Sequence, residues 1–247
     1  MTSRRKFIGG LSGLSIASIS GCLDRIRKFT GDSSNQTEYP SGLSDNGIDA
    51  GIIMDNNAIL NKDIKSFTYK KEQTVDGQVE ENIEIDVSFD PTVRLKKEYN
   101  SEGQVVSETY AEKEENIRYV NEEGELRGYG SLSSMSRKDL SKYSNFEVLL
   151  SSVSFNQHEI NSTDDGKVFI YESEEIPDFP ERNIDYENFN IRVEFHKDGY
   201  IKYIETDILL NGERIITKHT YTNINNVSIE RPSWVENVND IVNKPTN

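Results

Sequence analysis

The chain has 247 residues, enough for one large domain or two small ones, and its formal charge is −15. Hydrophobic residues make up 34% of it, which predicts a core that is small for the chain length. The acidity excludes a nucleic-acid-binding protein, because phosphate binding needs a basic face. No run of about 20 apolar residues is present, which excludes a multi-span membrane protein. The single cysteine excludes an internal disulfide framework.

The first 21 residues have the charged, apolar and small-residue regions of an export signal. Their apolar part, residues 7–21, is too short to span a bilayer and is diluted by glycine and serine. The start of this segment, Ser3-Arg4-Arg5-Lys6-Phe7-Ile8, resembles a twin-arginine signal of the pattern S-R-R-x-F-[LI]. The resemblance implies recognition through Arg4, Arg5 and Phe7, and export of an already folded protein.

The only cysteine of the chain, Cys22, follows Ile19-Ser20-Gly21, which resembles a lipobox. A lipobox implies that Cys22 becomes the lipid-bearing N-terminus and holds the protein at the outer, extracellular face of the cytoplasmic membrane. Firm anchoring needs two acyl chains or a diether lipid, since one chain binds only marginally. The alternative is a chance cysteine behind a plain cleavage site.

The composition predicts four segments. They are a signal (1–21), a flexible lipid-anchored stalk rich in Ser, Gly, Asn and Asp (22–47), a single β-rich domain (48–240) and a tail (241–247). Sequons make Asn35, Asn161 and Asn226 candidate glycosylation sites, with chance as the alternative because asparagine is abundant.

Residues 48–61 have the apolar spacing of a helix, and from Lys65 onward the period changes to two. Ile83, Ile85, Val87 and Phe89 alternate with polar residues, as do the apolar residues of 189–195. Turn pairs such as Asp-Gly and Asn-Gly separate the runs and predict hairpins between nine to eleven strands.

A second helix is predicted over residues 136–151, with Ser136 as its N-cap and Asp139 three residues later. Residues 176–188 hold two prolines and predict a loop. The expected fold is therefore α+β: one large, curved antiparallel sheet whose inner face is covered by about two helices.

Three short motifs add a family resemblance: Tyr39-Pro40-Ser41-Gly42-Leu43, Asp198-Gly199-Tyr200-Ile201 and Glu230-Arg231-Pro232-Ser233-Trp234-Val235. With the signal, they resemble a family of twin-arginine-exported lipoproteins of halophilic archaea, which look like the LolA/LppX class of lipoprotein carriers. The resemblance implies a half-barrel of antiparallel strands closed by helices around an apolar cavity, and it supplies no catalytic residue to carry over to this chain. Pro232 is expected to end the last strand, and Trp234 to fill one end of the core.

Chemistry-bearing motifs are few. His196 and His219 are predicted on neighbouring strands, where they could approach each other. A zinc site needs more ligands, and the sequence offers neither a cysteine partner nor an H-E-x-x-H motif. We therefore expect these two histidines and His158 to be ordinary strand residues rather than zinc ligands. Residues 161–172 partly match a calcium loop, although Asn161, Thr163 and the strand-like flanks favour a hairpin. Nucleophile, P-loop and dinucleotide motifs are absent, so neither an enzyme nor a cofactor is predicted.

Two functions remain. The first is a module that binds an apolar ligand, a lipid or isoprenoid, with inward residues such as Ile85, Val87, Ile191 and Val193 as candidate lining. The second is a structural or interaction component of the cell envelope, and a hydrolase ranks below both. Without the cationic signal, which holds three basic and no acidic residues, the chain carries −18. That charge suits high salt, which shortens the Debye length to about 3 Å at 1 M.

Overall fold

The computed structural model describes residues 37–55, 63–113, 117–122, 125–131, 135–141, 144–177 and 186–235. The predicted export signal, lipobox, Cys22 and the sequon at Asn35 lie outside these residues and stay predictions. The chain divides into two units, Met1–Glu38 and Tyr39–Asn247. Among the described helices, none combines the length and apolarity needed to cross a bilayer.

Most of the described elements are strands, as the period of two in the apolar residues after Lys65 predicts. In chain order they are β1 (Leu43–Ser44), β2 (Gly47–Ile48), α1 (Ala50–Asp55), β3 (Ser66–Val75), β4 (Gln78–Phe89), β5 (Thr92–Tyr99), β6 (Val105–Glu112), β7 (Ile117–Glu122), β8 (Glu125–Ser131), α2 (Arg137–Ser141), α3 (Ser144–Ser151), β9 (Asn156–Thr163), β10 (Gly166–Ser173), β11 (Tyr186–His196), β12 (Ile201–Leu210) and β13 (Glu213–Thr222).

Strands β3 to β13 form one antiparallel sheet in the order β8-β7-β6-β5-β4-β3-β13-β12-β11-β10-β9. The first and last of these strands pair at its centre, where Tyr69 lies opposite Tyr221. Strands β8 and β9 form its two edges, and the chain between them carries α2 and α3. The predicted large antiparallel sheet with few helices is confirmed; the sheet is open rather than closed into a barrel.

Two-residue hairpins form where the sequence places Asp-Gly and Asn-Gly. Asp76 and Gly77 have φ values of 48° and 80°, and Asn211 and Gly212 have 53° and 80°. Both central residues of a type I′ turn need positive φ, which glycine and asparagine tolerate best. These turns set the register of β3 with β4 and of β12 with β13.

The main core lies on the inner face of the sheet, defined here as the face that carries Phe67, Tyr69 and their cross-strand partners. Ile53 of α1, Leu140 of α2, and Phe146 and Leu150 of α3 are buried against it. The aromatic rings of Phe67 and Tyr221 lie 5.8 Å apart at its centre. Each described helix therefore buries one or two side chains against the sheet.

The helices differ from the prediction in extent. The helix predicted over 48–61 is described as α1, Ala50–Asp55, and that over 136–151 as two short helices, α2 and α3. The predicted cap of α2 is confirmed. The Asp139 amide donates to Ser136 Oγ at 3.2 Å, and the Ser136 amide donates to Asp139 Oδ2 at 3.3 Å. This is the reciprocal pattern of a capping box, with aspartate in the place of glutamate.

The last part of the predicted stalk is folded. Strands β1 and β2 form a hairpin that buries Leu43 in the core, while the Tyr171 hydroxyl donates to the Ser44 carbonyl at 2.8 Å. The Tyr39 hydroxyl donates to Gln157 Oε1 at 2.6 Å. A Ser/Gly/Asp-rich segment suits tight turns as well as flexible linkers. Composition alone therefore placed the start of the domain too late.

The C-terminal motif packs on the outer face, opposite the core, so the prediction that Trp234 fills one end of the core is wrong. Trp234 and Val235 join a second apolar cluster with Val93 and Tyr110 of β5 and β6. On β5 the apolar residues Val93 and Leu95 alternate with Arg94 and Lys96 of the inner face, so alternation alone does not tell which face is covered. Pro232 does not end the last strand either, because β13 ends at Thr222.

Candidate ligand-binding face

The four residues predicted to line a ligand site are core residues. Ile85, Val87, Ile191 and Val193 are 4%, 0%, 2% and 0% exposed and pack within the main cluster. Each points to the inner face as the alternation predicts, but neighbouring strands and the covering elements fill the space around them. Within the described residues they act as packing rather than as the walls of a cavity.

Two rows of residues cross the inner face beyond this core. The polar row, on β4, β3, β13 and β12, consists of Glu81, Gln73, Thr217 and Thr206. The lower row, on β3, β13, β12 and β11, consists of Val75, Ile215, Ile208 and Phe189. Phe189 is buried, whereas the other three side chains of the lower row are partly exposed. Along β3, β13 and β12 the inner face is thus apolar, then polar, then apolar, whereas on β11 it is apolar throughout.

A cluster of hydrogen-bonding side chains lies where the core meets the polar row. The Tyr69 hydroxyl oxygen is 2.7 Å from His219 Nδ1, and the two rings stack at 5.9 Å. Phe146 of α3 contacts the His219 ring edge-on, with centroids 4.8 Å apart. Tyr69, Lys71, Glu81 and His219 are called the His219 cluster below.

The protonation states of this cluster follow from its burial. Burial, and secondarily the charge of Lys71, lowers the pKa of His219 to about 4, so its ring is neutral at neutral pH. Burial, and secondarily Glu81, raises the pKa of Tyr69, which keeps its hydroxyl protonated. When that hydroxyl donates to Nδ1, the histidine ring carries its hydrogen on Nε2 and can donate there.

Lys71 is the cationic member of the cluster. It lies directly opposite His219 in the β13–β3 register and forms an ion pair with Glu81. The Lys71 and Glu81 side chains are 25% and 38% exposed, so solvent or a ligand reaches both. The next residue back, Lys70, points to the outer face and pairs with Glu84 at 2.6 Å. Adjacent lysines therefore serve opposite faces of the sheet.

The histidines do not meet. Strand β12 separates His196 on β11 from His219 on β13, so the prediction that they lie on neighbouring strands is wrong. His196 Nε2 lies 2.9 Å from the Asp165 carbonyl oxygen, and His158 Nδ1 lies 3.4 Å from a Glu172 carboxylate oxygen. In the described parts of the chain, no three His, Cys, Asp or Glu side chains are grouped to hold a metal ion.

The partial calcium-loop match is a hairpin, as its flanks predict. It joins β9 to β10, and the Thr163 hydroxyl donates to the Gly166 carbonyl at 2.9 Å. Asn161 lies exposed on the edge strand β9, and Asn226 lies exposed after β13. Both sequons are accessible to solvent, and glycosylation at either stays a prediction.

The outer face holds an arrangement that the sequence analysis did not identify. Arg192 binds Glu172 and Glu194 at 2.9 Å each and lies 3.9 Å from Glu159, beside an open depression of about 290 Å³. The signal that could have revealed the pair is the spacing of Arg192 and Glu194, two residues apart on one face of a strand.

Comparison with known proteins gives likeness of architecture only. No family model and no curated protein matches the chain. The crystal structure of lipoprotein LppX from Mycobacterium tuberculosis is 15% identical, with 72% of this chain and 95% of that chain covered and a TM-score of 0.44. A LolA superfamily protein from Nitrosomonas europaea is 9% identical, with 76% and 97% covered and a TM-score of 0.29. These neighbours belong to the class that the sequence resembles, whereas membership of the haloarchaeal family stays a prediction.

Proposed function

We propose that the protein is an exported lipoprotein, held at the outer face of the membrane through Cys22, whose domain binds an apolar ligand on the inner face of its sheet. The observation that supports a ligand-binding role is the lower row. Val75, Ile215 and Ile208 are aliphatic, adjacent and partly exposed, and they continue the inner face past the packed core.

The dimensions of the lower row suit a chain-like apolar molecule. Its residues sit on four neighbouring strands, which at about 4.8 Å per strand gives a strip about 14 Å long. Burying a fully exposed aliphatic side chain contributes about 1.5–3 kcal/mol of favourable free energy. Because the side chains of the lower row are only partly exposed, each would contribute a fraction of this amount to ligand binding. A row of this kind beside hydrogen-bonding groups is typical of a site for an amphiphile.

Ligand binding is tested with the purified protein and a fluorescent apolar probe, together with solvent extraction and native mass spectrometry. Ile215→Asn should weaken probe binding, because it places an amide in the lower row. The matched control is Ile216→Asn, since Ile216 is the next residue of the same strand and points to the outer face. Equal effects of the two substitutions would count against this site, as would a protein that neither carries lipid nor binds the probe.

Anchoring is tested separately by membrane fractionation. Cys22→Ser should move the protein from the membrane to the soluble fraction, because the thiol that would carry the lipid is removed. If the variant stays with the membrane as well as the natural protein does, the anchor through Cys22 is wrong, and the ligand site on the inner face is unaffected by that result.

A second candidate function, an interaction component of the envelope without a small ligand, has one observation in its favour. The residues that the sequence analysis placed around a cavity, Ile85 and Val193 among them, are packed in the core. For this function, cross-linking in intact envelopes should capture a specific protein partner, while extraction of the purified protein yields no lipid. Bound lipid without such a partner would decide against it.

A further inference from the structure

We infer that the His219 cluster is the headgroup subsite of the inner face, and that the ligand is an amphiphile with an anionic headgroup. The anion would contact the Lys71 ammonium and the His219 Nε2–H, and the apolar chain would lie along the lower row. This inference rests on the proposed function and names the class of its ligand.

The first step of the argument is position. Lys71 and His219 lie directly opposite each other on β3 and β13, two strands that also carry Val75 and Ile215 of the lower row. Lys71 and Val75 are four residues apart on β3, as are His219 and Ile215 on β13. The two residues of each pair therefore lie on the same face of the sheet, about 13 Å from each other along the strand. One molecule can therefore reach both the cluster and the lower row.

The second step is the supply of donors. An ammonium group has three donors, and Lys71 directs one hydrogen-bonding contact to Glu81. In the tautomer in which the neutral His219 ring accepts the Tyr69 hydroxyl at Nδ1, its Nε2–H is a donor. Two neighbouring donors, one of them charged, match a carboxylate or phosphate head better than an alcohol or an ammonium head.

The third step is competition with Glu81. Its carboxylate occupies Lys71 in the structure and is 38% exposed, so it stands where a ligand carboxylate would bind. An incoming anion has to displace Glu81 from Lys71 or share the lysine with it. Removing the charge of Glu81 should therefore tighten the binding of an anionic amphiphile.

The experiment uses the purified protein and two probes with the same chain, the fluorescent fatty acid cis-parinaric acid and its uncharged methyl ester. The acid should bind more tightly than the ester. Lys71→Met should weaken the acid about ten-fold and leave the ester nearly unchanged, as expected for loss of one charge-assisted hydrogen bond. Lys71→Arg should retain most of the affinity, and Glu81→Gln should raise the affinity for the acid. Acetate, which has the head without the chain, should not compete at millimolar concentration.

Lys70→Met is the matched control, because Lys70 carries the same charge on the adjacent residue and faces outward. Circular dichroism shows whether each variant is folded, and Lys71→Arg reports on the site if Lys71→Met does not fold. Equal binding of acid and ester, or equal losses in the Lys70 and Lys71 variants, overturns the headgroup subsite and leaves the apolar site intact. Failure of both probes to bind overturns the proposed ligand function as well. Competition by acetate alone shows a site for free anions and overturns the amphiphile.

Discussion

The Trp234 indole donates its Nε1–H to a Glu108 carboxylate oxygen at 2.9 Å on the outer face of the sheet. Beside it, Val235 is fully buried against Val93 and Tyr110. The segment after β13 thus returns across the sheet and covers strands β5 and β6, which belong to the other half of the chain.

Trp234→Ala should lower the free energy of unfolding by about 2–3 kcal/mol, because a partly buried indole loses its packing and its hydrogen bond. Trp234→Phe keeps most of the apolar contact and loses only the bond to Glu108, so its loss should be near 1 kcal/mol. Urea unfolding followed by circular dichroism measures both. Equal stability of the alanine variant and the natural protein would show that the outer cluster contributes nothing.

His219 should make stability depend on pH. Its pKa in the fold is about 4, whereas the unfolded chain has about 6.5. Between these two pH values the unfolded state binds the proton and the folded state does not. The contribution of His219 to the free energy of unfolding is therefore constant above pH 6.5 and decreases as the pH falls towards 4. At about 1.4 kcal/mol per pKa unit, the loss is on the order of 3 kcal/mol.

The measurement for His219 compares urea unfolding at pH 7 and pH 4.5 in the natural protein and in His219→Gln. Protonation of carboxylates destabilises both proteins alike, so the informative quantity is the difference between their two losses. The natural protein should lose more stability on acidification than the variant. Parallel losses would show that His219 titrates normally in the fold.

Arg192→Met should destabilise the protein, and more at low salt. It removes the cation that Glu172, Glu194 and Glu159 share, leaving three carboxylates close together on β9, β10 and β11. The expected loss is about 1–2 kcal/mol in dilute buffer, shrinking as salt screens the repulsion. Arg214→Met is the control, since Arg214 forms an exposed ion pair with Asp207. Thermal melts in both conditions distinguish the two arginines, and identical behaviour would contradict the shared-cation interpretation.

Gly47→Ala should destabilise the domain more than Gly77→Ala does. Both glycines have positive φ, at 132° and 80°, so both substitutions strain the backbone. A Cβ on Gly47 would also lie 2.6 Å from the Phe155 carbonyl oxygen, whereas one on Gly77 would meet nothing within 4 Å. We expect about 1 kcal/mol for Gly77→Ala and at least 2 kcal/mol for Gly47→Ala. Differential scanning calorimetry measures both, and the reverse order would contradict close packing of the β1–β2 hairpin.

Lowering the salt concentration should itself unfold the domain, if its acidity is an adaptation to high salt. Self-repulsion of the acidic chain, whose formal charge is −15, or −18 without residues 1–21, grows as the Debye length rises from about 3 Å at 1 M to about 30 Å at 0.01 M. The melting temperature should therefore fall steadily over this range. A constant melting temperature would overturn the interpretation of the charge, with no bearing on the ligand site.

Local pattern predicted the strands well because the relevant physics is local. Alternation placed Ile85 and Val193 on the buried face, and Asp76-Gly77 and Asn211-Gly212 marked turns whose φ values only a few residues adopt. The cap at Ser136 was equally readable, because a side chain and an amide three residues apart decide it.

The His219 cluster could not be predicted in this way. It depends on pairing of β3 with β13, which brings Lys71 opposite His219 from the far end of the chain. Alternation gives the face of a residue and not its neighbour on the next strand. For the same reason, Trp234 was assigned to the core when its partner, Glu108, lies on the outer face.

The pairing of β3 with β13 joins two separate meanders into one continuous sheet. Strands β3 to β8 form one meander and β9 to β13 another, and β8 and β9 end at opposite edges of the sheet. The covalent link between the meanders is the crossover that carries α2 and α3 over the inner face. A nick in that crossover would yield two fragments able to reassemble along the central seam. The helices above the inner face are thus also the covalent tether between the two meanders.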